Sequence, residues 1–150
     1  MNLATFLAHA VKLEYEAMHM SERLANIVEL RGERDVEAFY REMVENSRKH
    51  LQDALDRAGY AGVADLPAGD YLWPDGFSAE CSRWSDVKDI TDLDRAMELS
   101  LDAERRAMGF YRQVAVAARD PNVQDLAAAF AAEEVEHVEA LERFMGLRPY

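Results

Sequence analysis

Four stretches of the chain place apolar or small residues at alternating steps of three and four, the period of one face of an α-helix. Little interrupts that period: residues 1–58 contain a single Gly (Gly32) and no Pro, and residues 91–145 contain only Gly109 and Pro121. The first stretch runs Leu3, Leu7, Ala10, Ala17, Leu24, Val28. It should stop near Arg31-Gly32, where Gly supplies the left-handed residue of a C-terminal cap. The second runs Val36, Tyr40, Met43, Ala54, Leu55 and ends near Gly59. The third starts after Thr91, an expected N-cap with Asp92 and Asp94 in the first turn, and carries Met97, Leu101, Met108, Tyr111, Ala115 and Ala118. Asp120-Pro121 reads as an N-cap followed by Pro at the first helical position, and opens the fourth stretch with Val123, Ala127, Phe130, Leu141 and Phe144 inward. The expectation is an all-α, four-helix chain.

Residues 60–90 break the pattern. They hold both Trp, the only Cys, and Pro67, Pro74, Gly62, Gly69 and Gly76, with little helical period. An up-down-up-down bundle would join its second and third helices with a few residues. Roughly thirty residues can instead run the length of a ~40 Å helix and return the third helix from the far end. A bundle of two helix hairpins joined by one such crossover is the ferritin-like arrangement. A helical bundle with a decorated loop has the same helices and remains the plainer alternative. At 150 residues the chain suits one domain spanning 1–150.

The two halves resemble each other. Glu14, Ala17, Ser21, Leu24 and Ala25 match Glu104, Ala107, Tyr111, Val114 and Ala115 at an offset of 90. Val36, Phe39, Met43 and His50 match Val123, Leu126, Phe130 and His137 at an offset of 87. Duplication of a hairpin is the economical explanation.

Charged groups interrupt the apolar stripes. On the fourth helix the inward series 123, 127, 130, 134, 137, 141, 144 includes Glu134 and His137. The third helix puts Glu104 inside, the first Glu14, and the second Ser47 and His50. A carboxylate buried alone is very costly, so such groups are paired, protonated or metal-bound. Their heights agree. Glu14 lies 18 residues before Gly32 and His50 lies 18 after it; Glu104 lies 16 before Asp120 and His137 lies 17 after it. Both groups sit ~25 Å from their turns. Three carboxylates and two imidazoles therefore meet at one depth. Glu134 and His137, three apart, share a helix face and can reach a common ion, for which oxygen with nitrogen suits iron, manganese or zinc.

These residues resemble the ferritin-like di-iron carboxylate proteins, and among them the rubrerythrin family. The resemblance covers all four helices, and Glu104-Arg-Arg-Ala-Met-Gly-Phe-Tyr111 is especially similar to a rubrerythrin helix. The family pattern is one Glu, then Glu-x-x-His, then one Glu, then Glu-x-x-His. Glu14, His50, Glu104 and the Glu134/His137 pair match it. The resemblance implies two non-haem irons, with Glu14 and Glu104 as terminal ligands, His50 and His137 as nitrogen ligands, and Glu134 as a bridge. It implies an oxidoreductase that reduces peroxide or oxidises ferrous iron, with an external electron donor. A rubredoxin domain needs four Cys, and the chain has one. The pattern departs at Ser47, where the second motif requires Glu. Four carboxylates balance two divalent ions, whereas three leave one positive charge for hydroxide or another anion. One ion alone would leave one negative charge, and Asp53, one turn beyond His50, is a candidate substitute whose plainer reading is an exposed residue. A non-enzymatic scaffold with a mononuclear or degenerate site is the second reading, and a ferritin-like hydroxylase the third.

The remaining features bound the partners. A formal charge of −12 argues against nucleic acid or an anionic membrane surface. No apolar run approaches the ~20 residues of a membrane span. The N-terminus lacks a basic segment followed by a long apolar core, which makes the cytoplasm the expected compartment. One Cys excludes a disulfide framework and Cys-rich metal modules. No Ser–His–Asp set, phosphate-cradling loop or basic aromatic stripe is present. His9 and His19, each five residues from Glu14, should lie at the surface or behind the ligands. Tyr111 either hydrogen-bonds behind a ligand or simply packs. Cys81 reads as an inert small hydrophobe, while Tyr71, Trp73 and Trp84 should anchor the crossover. Phe6, Val11, Ile27 and Phe39 suggest an apolar outer face buried in a homodimer.

Overall fold

The computed structural model describes residues 1–58 and 93–146. It is an all-α four-helix bundle, with α1 at Leu3–Leu30, α2 at Arg34–Ala58, α3 at Leu93–Ala117 and α4 at Pro121–Phe144. The expected crossover, with Tyr71, Trp73, Cys81 and Trp84, and the Thr91 cap lie outside the described residues. No described helix is long and apolar enough to cross a membrane.

Local chemistry sets the ends as the sequence implies. The chain leaves α1 through Gly32 at φ 73°, a left-handed conformation that only Gly adopts cheaply. Asp120 caps α4 by accepting a hydrogen bond from the Asn122 amide at 2.9 Å, with Pro121 in the first turn. Neither hairpin turn exceeds a few residues, so α1 packs along α2 and α3 along α4.

The apolar stripes merge into two separate clusters. One holds Phe6, Leu13, Tyr111, Val123 and Phe130. The other holds Leu24, Tyr40, Met43, Leu101 and Leu141. Each helix passes from one cluster to the other, and the layer between them contains the buried polar residues Glu14, Ser47, Glu104, Glu134 and His137. Dispersion and apolar burial hold the two ends together, while the middle must be held by electrostatics or an ion.

Three expectations are corrected. Phe144 is not inward but 44% exposed, because the stripe runs off the end of the bundle at the last turn of α4; its ring rests against Phe39 at 4.8 Å. Phe6 and Phe39 do not form an outer face. Phe6 is fully buried, 6.1 Å from the Tyr111 ring and 6.0 Å from Phe130, and Phe39 is buried beside Tyr40. A bundle helix touches two neighbours, so its buried arc is wider than one stripe. Only the half-buried Val11 and Ile27 remain of the four residues assigned to a dimer face. His9 is likewise fully buried, stacked on Phe110 at 5.6 Å. Its Nδ1 lies 2.7 Å from the Thr5 carbonyl, which can only accept, so Nδ1 carries the proton. Burial lowers the His9 pKa against the smaller effect of that bond. His19 is exposed beside Tyr15, as expected.

Candidate metal centre

Each helix delivers one or two polar groups to the layer between the clusters, because each interrupts an otherwise apolar stripe at the same height. Glu104, Glu134 and His137 come closest together, with one ligand atom of each within 4.8 Å of the others. His137 Nδ1 lies 3.4 Å from Glu104 Oε2 and 3.4 Å from Glu134 Oε2. Glu14 and His50 face each other in the same layer, with Nδ1 of His50 3.5 Å from Glu14 Oε2. The two imidazole rings lie nearly parallel, 6.0 Å apart at 23°. All five residues picked out in the sequence thus occupy one buried region.

The distances discriminate between two kinds of contact. A charge-assisted N–H···O bond spans about 2.7–2.9 Å. Two ligands that each bind an ion at about 2.1 Å, tetrahedrally or cis-octahedrally, stand roughly 3.0–3.4 Å apart. The three Nδ1–carboxylate contacts are long for the first; the two of His137, at 3.4 Å, lie at the upper end of the second range, and that of His50, at 3.5 Å, lies just beyond it. Oε2 of Glu104 is shielded from solvent and makes no hydrogen bond. A bound ion would satisfy that oxygen. The residues present fit a divalent metal.

In the metal-free chain, protons stand in for cations. Burial pushes Glu104 up, but its hydrogen bond with Glu134 and the nearby His137 and His50 outweigh that and hold its carboxyl below the ordinary value. For His50 burial acts downward, yet the Glu133 and Glu14 carboxylates overcome it and raise its pKa to about 10. His137 is raised by Glu104 in the same way, again against burial.

Tyr111 donates from its hydroxyl to Glu14 Oε1 at 3.2 Å. Of the two readings open for Tyr111, the hydrogen bond is present, but it reaches the glutamate of α1 and not that of its own helix. Tyr40, fully buried, has its hydroxyl pushed up to about 12 by burial, with Ser100 opposing and Glu104 adding to the rise. Asp53 takes no part; it is half-exposed and pairs with Arg57 at 3.1 Å. Ser47 is buried one turn before His50, so α2 brings an imidazole and no carboxylate.

One residue outside the inward series joins the layer. Glu133 Oε2 stands 2.7 Å from His50 Nε2, on the ring edge opposite Glu14. It is hard to pick from the sequence, because it is one of five Glu between 133 and 142 and falls 100° off the stripe. The missing charge at Ser47 was a signal that could have found it, but on the sequence alone the substitute was sought at Asp53.

No protein-family model and no curated protein matches the chain. Among solved structures, an uncharacterized conserved protein from Magnetospirillum magnetotacticum MS-1 is similar at 32% identity and TM-score 0.80, over 100% of this chain and 97% of that one.

Proposed function

The chain belongs to the same family as that uncharacterized conserved protein, and from the geometry of its own polar layer we propose that it is a metal-binding, rubrerythrin-like bundle acting as a non-haem di-iron oxidoreductase. The observation that carries the reading is the set of three Nδ1–carboxylate contacts at 3.4–3.5 Å, in a layer that the apolar clusters close on both sides.

Glu104, Glu134 and His137 would hold one ion, and Glu14 with His50 would face a second. Iron bound there would supply a one-electron change per metal, used to reduce peroxide or to oxidise ferrous iron. The chain's own part is to place and shield. The apolar clusters limit water to the polar layer, which strengthens each charge inside it. The Tyr111 hydroxyl, its oxygen 3.2 Å from Glu14 Oε1, donates to that carboxylate and fixes it. The proton on His50 would leave when a cation enters. The partners of this reading are a small oxidant and an external electron donor, and self-association as a homodimer belongs to it as well.

A mononuclear, non-enzymatic site is the competing reading, and it is favoured by one observation: among the described residues, only the Glu104, Glu134 and His137 atoms cluster tightly enough to clasp an ion as they stand. Elemental analysis after anaerobic reconstitution with ferrous iron separates the two. Two irons per chain, with peroxide-dependent oxidation of the bound metal, support the oxidoreductase. One iron supports the mononuclear site, and none overturns metal binding altogether.

A further inference from the structure

The second helix leaves a debt of charge in this site. Its Ser47 is buried where a carboxylate would face the layer, so Glu14, Glu104 and Glu134 bring three negative charges to a place meant for two divalent ions. Resting on the metal-binding reading above, we propose that Glu133 of α4 makes good this deficit: it supplies the fourth negative charge and holds His50 so that a second divalent cation can bind between His50 and Glu14.

The two edges of the His50 ring are used differently. Nδ1 faces Glu14 Oε2 at 3.5 Å, just beyond the spacing of two ligands of one ion. Nε2 faces Glu133 Oε2 at 2.7 Å, an ion-pair contact too short for two ligands of a common ion. Glu133 is therefore a positioning residue. Paired with the Nε2 edge, its charge favours the proton on that nitrogen, leaves Nδ1 facing inward and makes Nδ1 a better donor to a cation. The ring plane also runs near-parallel to the rings of Phe130, 6.1 Å away, and His137, 6.0 Å away.

Burial divides the Glu133 carboxylate between two environments. The side chain is 45% exposed, yet Oε2 is shielded from solvent against His50. One oxygen is thus committed to the ring while the other stays hydrated, so the charge is brought to the site without full desolvation. With Glu133 included, four carboxylates face two divalent ions and the charges cancel.

The test is an anaerobic titration with Co2+, which reports nitrogen ligation through its visible absorption, followed in parallel by calorimetry. It compares the full wild-type chain with E133Q, E133A and E134Q. Wild type should take two ions. E133Q removes the charge and keeps an acceptor; E133A removes both. The second ion should weaken about 10-fold in E133Q and up to about 100-fold in E133A, while the first stays within twofold. E134Q should lose the first ion instead. A wild type that takes only one ion, an E133A variant that takes both as wild type does, or one that loses both equally overturns the role of Glu133 and leaves the Glu104–Glu134–His137 site standing. A wild type that takes no Co2+ overturns the metal reading and this inference with it.

Discussion

Raising the pH should weaken the metal-free protein through His50. Its pKa is about 10 in the folded chain against 6.5 for the free side chain, so the folded state binds this proton more tightly than the unfolded one. The stabilisation is fully present below pH 6.5 and fades as pH climbs toward 10. The shift of 10 − 6.5 = 3.5 corresponds to a ceiling of about 4.8 kcal/mol at 1.36 kcal/mol per unit. Glu133, the nearer of the two carboxylates, is 45% exposed, so solvent screens part of its pull and roughly 2 kcal/mol is the realistic loss. His137, raised in the same direction, adds to the slope. Urea unfolding with excess chelator at pH 6.5, 8 and 9.5 measures it, with His50→Gln as the reference because the general repulsion of a chain at −12 acts on both proteins. The wild-type midpoint should fall more steeply with pH than that of the variant. Equal slopes would show that His50 carries no extra proton in the fold, and the account of protons standing in for cations would fail. Saturating metal should abolish the difference, since His50 then gives up its proton to a ligand bond.

Two further outcomes follow from particular contacts. Tyr111→Phe removes the 3.2 Å bond to Glu14 and keeps the ring in its apolar surroundings, so metal-free stability should drop by about 1.5–3 kcal/mol, read from the urea midpoint; no loss would mean that the hydroxyl bond is not formed in solution. Phe6→Ala empties a fully buried position and should cost about 3–5 kcal/mol in unfolding free energy; a cost below about 1 kcal/mol would place Phe6 back on an outer face.

The four helices, the Gly32 and Asp120 caps and the buried polar residues were legible along the chain because each rests on a one-dimensional rule. Gly32 ends α1 and Asp120-Pro121 opens α4 through bonds only two or three residues long. Glu14, Glu104, Glu134 and His137 fall inside because the helical period carries them to the same side as Leu7, Leu101 and Phe130. Their common height needed only residue counts from two turns, since a straight helix converts sequence number into length at 1.5 Å per residue.

What the sequence left open is what depends on the neighbours of a helix rather than its period. Phe6, His9 and Phe39 were placed outside or at the edge of the core, yet each is buried, because a second helix closes over the flank of the stripe. Glu133 sits on such a flank of α4, and only the packing of the two hairpins brings it to His50 of α2. The direction of the Tyr111 hydroxyl, across to Glu14 rather than along its own helix, was settled in the same way. Periodicity fixes the angle at which a side chain leaves its own axis. The side chain it meets there is fixed by the rotation and spacing of another axis, which no count of residues contains.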